Sequence, residues 1–110
     1  MTDSSFPEKI RSLEPFSERF DAYKLAADGC DVLFAAYPAG TKITPHTHAT
    51  DNWGVIVRGE MVITMDGQTS RFGVGDWYHV PALKEHAAGC DVTTEEIEFW
   101  FAQPTEREPN

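Results

Sequence analysis

Three histidines carry the most specific chemistry in this sequence. His46 and His48 close the run Gly40-Thr-Lys-Ile-Thr-Pro-His46-Thr-His48, and His86 ends Pro81-Ala-Leu-Lys-Glu-His86. Side chains alternate faces along an extended strand, so two residues spaced two apart point the same way. His46 and His48 can therefore aim both imidazoles at one point, and another strand can bring His86 to meet them. Imidazole nitrogens at roughly 2.0–2.2 Å from a common centre are what a Zn, Fe, Ni, Mn or Cu ion requires.

The elements that must position these residues read as short strands joined by turns. Glu18 to Ala26 and Asp31 to Tyr37 are separated by the turn residues Asp28-Gly29. Lys42 to His48 carries the histidine pair, and Asn52 to Arg58 is rich in β-branched and aromatic residues. Gly59-Glu60 breaks that run, and Met61 to Met65 leads to Asp66-Gly67. An Asp-Gly pair between apolar runs is a strong hairpin signal, because both residues tolerate positive φ. Gln68 to Phe72 returns, Gly73-Val-Gly75-Asp76 turns the chain again, and Trp77 to Val80 runs into Pro81. His86 to Cys90 and Glu95 to Ala102 complete the set. Only Ser12 to Lys24 has weak helical character, and Pro15 interrupts it. About eight short strands at regular spacing predict an antiparallel sandwich or barrel.

A chain of 110 residues forms one domain with a modest core. Residues 1–14 read as an N-terminal arm, 15–104 as the barrel and 105–110 as a frayed tail. No apolar run approaches the roughly 20 residues that span a membrane, and the first residues lack a signal peptide's apolar stretch. A cytoplasmic location is the expectation. The net charge of −9 comes from 18 acidic and 9 basic residues, the latter scattered singly, which argues against nucleic-acid binding. A glycine-rich phosphate loop and a nucleophile elbow are both absent from the sequence. Cys30 and Cys90 lie in no paired motif; inert thiols, a redox or ligand role, and a disulfide are the readings open to them.

The residues around the histidines resemble the single-domain cupins. In that family a first motif runs glycine, five residues, His-x-His, three or four residues, glutamate, six residues, glycine. Gly40, His46, His48 and Gly59 fall on it, with Asn52 in the glutamate position. In the second motif Gly75, Pro81 and His86 match, while Leu83 occupies an inner glycine position and Cys90 an asparagine position. The resemblance implies an all-β, antiparallel jelly-roll β-barrel with a short N-terminal arm. It implies one divalent transition metal ion held by His46, His48 and His86, with Asn52 in the place of a fourth, carboxylate ligand. Three imidazoles and an amide carry no negative charge, which favours Zn, Fe, Ni or Cu over Mn. An Asn oxygen is a poor ligand, and Asp51 can replace it only if a turn rotates that side chain inward.

Two functions of different classes follow. One is a metal-dependent enzyme of dioxygenase, isomerase or lyase type on a small organic molecule, with His79, Tyr78 and Asp51 as candidate proton-transfer groups. The other is a non-catalytic cupin that binds or senses a small ligand. His79 can face into the barrel or outward at a rim. Ile97-Glu98-Phe99-Trp100-Phe101 is apolar on both faces, so its sheet must be covered on both sides, by the N-terminal arm or by another subunit. The resemblance to cupins implies a homodimer, and the two-sided strand agrees with it.

Overall fold

A computed structural model describes residues 4–17 and 19–102. A short helix α1 (Glu8–Arg11) is followed by β1 (Glu14–Pro15), β2 (Asp21–Ala27), β3 (Cys30–Tyr37), β4 (Lys42–His46) and β5 (Asp51–Arg58). Then come β6 (Glu60–Met65), β7 (Gln68–Gly73), β8 (Trp77–Val80), β9 (His86–Gly89) and β10 (Thr94–Phe101). The strands form two antiparallel sheets, one of order β1-β2-β3-β10-β5-β8 and one of order β4-β9-β6-β7. This is the jelly-roll architecture, open between the sheets rather than closed by hydrogen bonds into a continuous barrel.

The core sits between the sheets. Ala22, Ala35, Tyr37 and Ile56 from the larger sheet meet Met61 and Ile63 from the smaller one, and Val80 closes the side. The turn between β6 and β7 is the expected one, with Asp66 at φ 55° and Gly67 at φ 75°. Positive φ at both residues matches the twist of the flanking strands, and it fixes the pairing of Met65 with Gln68.

The observed start of the chain differs from the expectation. The described helix is α1, upstream of Ser12, where the Ile10 and Arg11 N–H groups both bond the Pro7 carbonyl. Within Ser12–Lys24 the chain instead makes β1 and enters β2, because Phe16 N–H bonds Ala22 O and ties the segment to the sheet edge. Glu18 and the tail over 105–110 lie outside the described residues.

The arm covers part of the outer face of the larger sheet. Phe6 meets Phe34 edge-on at 5.8 Å, and Ser5 donates from both its backbone N–H and its hydroxyl to the fully buried Glu95. Arg58 approaches the same carboxylate at 3.3 Å. Further along that face Trp53 and Trp77 remain exposed, and Trp77 stacks against Phe99 at 6.0 Å. Cys30 and Cys90 are both free thiols, Cys90 buried against the Pro38 carbonyl.

Candidate metal centre and cavity

β4 and β9 bring two of the histidines side by side. Their ladder pairs Lys42 with Gly89 and Ile43 with Ala88, then shifts register so that His46 faces His86. A register shift of this kind bends the strand and re-aims side chains beyond it. His48 lies two residues past the end of β4, where its carbonyl accepts the Leu83 N–H at 2.7 Å. Leu83 adopts φ 66°, in the left-handed region that favours glycine. Leucine thus stands at the glycine position of the second motif in a left-handed conformation that glycine adopts freely.

Nε2 of His46 lies 3.0 Å from Nε2 of His48, and one ligand atom from each of His46, His48 and His86 falls within 4.8 Å of the others. Nδ1 of His46 donates to Thr44 O at 2.8 Å, and Nδ1 of His86 donates to Lys84 O at 3.0 Å. A carbonyl only accepts, so each Nδ1 is the donor, and in the neutral ring the lone pair sits on Nε2, that of His46 facing His48 Nε2. Backbone tethers of this kind set the tautomer and ring orientation in metal-binding imidazoles. Burial lowers the pKa of His48, and the neighbouring His46 and His86 lower it further. Burial likewise lowers that of His86. Neutral imidazoles are the form that binds metal, so the donor set fits a divalent transition ion.

The histidines line one side of a cavity of about 150 Å³ between the sheets. Phe20, Ile43 and Met61 supply apolar wall, and Asn52 adds a buried amide whose Oδ1 accepts the Thr50 hydroxyl at 2.6 Å. Trp100 closes the side next to His48, with the two rings 4.5 Å apart.

A carboxyl–phenol chain also lines this cavity, and sequence reasoning missed it. Tyr37 donates to Glu96 Oε2 at 2.8 Å, and Tyr78 Oη bonds Glu96 Oε1 and lies 2.9 Å from Glu98 Oε2. Trp100 Nε1 donates to Glu98 Oε1 at 2.6 Å. Burial drives the Glu96 carboxyl well above the usual carboxylate range, and the adjacent Glu98 drives it further. One phenol proton cannot serve both carboxyls. The Glu96 and Glu98 carboxyls also hydrogen-bond each other, so a proton on Glu96 joins both carboxyls and the phenol in one network. The signal was present in the sequence: period two places Glu96, Glu98 and Trp100 on one face of a strand.

Of the three candidate proton-transfer residues, the structure brings only Tyr78 into the cavity. Asn52 pairs with Val80 and Trp53 with His79, so alternation turns Asn52 and Val80 inward and sends Asp51, Trp53 and His79 to the outer face. There His79 Nε2 lies 2.6 Å from Asp51 Oδ1, Trp53 Nε1 donates to Asp51 Oδ2 at 3.0 Å, and the Trp53 ring stacks on His79 at 4.0 Å. Asp51 is not rotated inward.

The sequence pattern of the cupin domain matches residues 33–101. Comparison with curated proteins finds no match. Among solved structures, a cupin superfamily protein from Desulfitobacterium hafniense superposes with a TM-score of 0.73 at 22% identity, over 93% of this chain and 95% of that one. KdgF from Halomonas sp. gives 0.75 at 18% identity, over 96% of this chain and 100% of its own. A variant of salicylate 1,2-dioxygenase from Pseudoaminobacter salicylatoxidans gives 0.71 at 16% identity, over 79% of this chain but only 27% of that one. At these identities the likeness speaks for the fold.

Proposed function

The chain belongs to the cupin family, and from that premise we propose that it is a metal-binding cupin acting on a small organic molecule in the cavity between its sheets. The observation that carries this reading is the convergence of three imidazoles, two of them locked through Nδ1 by backbone carbonyls so that Nε2 turns to the common centre. His46, His48 and His86 would hold one divalent ion. The uncharged donors, with Asn52 beside them in place of a carboxylate, favour Zn, Fe, Ni or Cu over Mn. When bound, such an ion supplies Lewis acidity or, as iron or copper, redox chemistry with O₂.

The residues around the ion define what the cavity does. Apolar walls exclude water and seat the ligand's hydrocarbon portion. Tyr78 and Glu98 hold a proton-transfer path on the floor, in the role first considered for His79 and Asp51 as well. Isomerase, lyase and dioxygenase chemistry all begin from a proton moved or an oxygen polarised beside the ion. Non-catalytic ligand binding is the second reading, favoured by Asn52 where the family pattern has glutamate.

A cytoplasmic location goes with two unpaired cysteines in one chain. No helix among the described residues is long and apolar enough to cross a membrane. A homodimer formed through the outer face is the assembly we propose, because Trp53 and Trp77 sit together beside Phe99, exposed among the described residues. Light scattering on the wild type and on Trp77→Lys tests it: a wild-type monomer overturns the proposal.

Elemental analysis of the purified protein and of alanine variants at His46, His48 and His86 tests the metal. Near-stoichiometric Fe, Ni, Cu or Zn, lost in each variant while circular dichroism stays unchanged, is the expected result. A wild-type protein that takes up no metal on reconstitution overturns it. Turnover or O₂ uptake on a panel of phenols, diketones and thiols then separates enzyme from binder.

A further inference from the structure

The floor of the cavity carries a polar group that metal binding does not use. Glu98 is half-buried, lines the same space as the three histidines, and is held in place from both sides. Trp100 Nε1 occupies one lone pair on Oε1, and Tyr78 Oη occupies one on Oε2. A carboxylate offers about four acceptor sites, and with Trp100, Tyr78 and the hydrogen-bonded Glu96 carboxyl as partners about one is left for an incoming donor. Glu96 behind it is fully enclosed and already bonded by two tyrosines. Asn52 has its oxygen engaged by Thr50, and Glu98 is the carboxylate on the wall that an incoming donor can reach.

We propose that Glu98 is the ligand-recognising group of this cavity, and that the site takes a single-ring molecule bearing an amidine, amine or hydroxyl donor in preference to a carboxylate. The inference rests on the histidine-lined cavity being the binding site. Size supports it: about 150 Å³ equals the volume of an engineered protein cavity that takes benzene. Charge supports it as well. In the metal-free cavity a ligand carboxylate pressed to the floor would set a second negative charge beside the Glu98 carboxylate, and a bound divalent ion would offset that repulsion, so the preference belongs to the metal-free site. Arg19, the cation on the lining, lies exposed to solvent, where its attraction is screened. The net charge of −9 also draws cations rather than anions toward the molecule.

Benzamidine and benzoate separate the alternatives, because they are nearly isosteric and planar and differ in donor capacity and charge. Titration of the metal-free protein by calorimetry is expected to show benzamidine binding at least about tenfold more tightly than benzoate, the scale of one charge-assisted contact. Glu98→Gln should erase that preference while metal content and the circular dichroism spectrum hold. Equal or tighter benzoate binding overturns the proposal, as does the absence of binding by both probes. Loss of metal from Glu98→Gln also overturns it, since the carboxylate would then serve the ion. His48→Ala keeps the two readings apart: loss of metal with the benzamidine preference intact supports both. Failure of wild type to bind metal, with the preference present, removes the metal reading alone.

Discussion

Gly54 lies directly opposite Tyr78 across the β5–β8 pair, and a Cβ built on it would run into the Tyr78 ring. The bare backbone of β5 is what lets the phenol lie flat over the strand and extend its hydroxyl to Glu96 and Glu98 on β10. One missing side chain thus decides whether the Tyr78 hydroxyl reaches the two carboxyls on the cavity floor.

Gly54→Ala should therefore destabilise the fold by about 1–3 kcal/mol, the usual cost of forcing extra volume into a packed core. Urea denaturation measures that cost. The ring displacement should appear as an altered tyrosine fluorescence or ring NMR signal, and an unchanged Tyr78 signal would refute the contact.

His48 and Asn52 both line the cavity but should differ sharply in what they hold. His48→Ala is expected to lose most of the bound metal, and Asn52→Ala to retain it, as read by mass spectrometry of metal content. Removing the ion with a chelator should lower the melting temperature. At about a hundredfold excess of metal over Kd, binding contributes roughly 2.7 kcal/mol.

Leu83 holds φ 66° with its side chain 71% exposed, so it bears a backbone cost with little burial in return. The left-handed conformation costs an L-residue about 1–2 kcal/mol, and glycine's looser unfolded chain costs about 0.5–1 kcal/mol. Leu83→Gly should leave stability unchanged or raise it by up to about 1 kcal/mol in chemical denaturation. A loss of stability would show that the Leu83 side chain carries contacts of its own.

Glu96 should make stability fall with rising pH. Its folded pKa is raised by burial, so the folded state holds a proton that the unfolded chain releases above about pH 4.3. That stabilisation is complete below the unfolded pKa and is lost as pH climbs through the folded one. The lowered pKa values of His48 and His86 act in the opposite sense, adding stability as pH rises toward and past about 6.5. Comparing metal-free wild type with Glu96→Gln cancels the histidine contribution. The variant should gain on the wild type as pH rises above about 4.3, the unfolded value, until the folded carboxyl ionises. Parallel curves would place the Glu96 proton elsewhere.

Local signals in the sequence were enough for the elements. Strand Trp77–Val80 has the bounds that alternation and Pro81 predict, and the Asp66-Gly67 turn folds as its φ preferences require. The β4 strand ends at His46 rather than His48, because a register shift and the Leu83 contact take over there. His46 and His48 still share a face, since that relation needs only their two-residue spacing. The joining of His86 to the pair is tertiary, set by the β4–β9 ladder.

What the sequence by itself determined is the set of period-two strands, the tight turn and the paired imidazoles, all properties of a few consecutive residues. What only the tertiary structure decided is the phase of each strand, that is, which of its two faces looks inward. Tyr78 and His79 are neighbours of similar chemistry, yet the register of β8 on β5 sends one to the cavity and the other to Asp51. The same rule, applied through β10, puts Glu96 and Glu98 on the floor and Glu95 under the N-terminal arm. Alternation is local, but its phase depends on which partner strand supplies the hydrogen bonds and which face buries the larger apolar area.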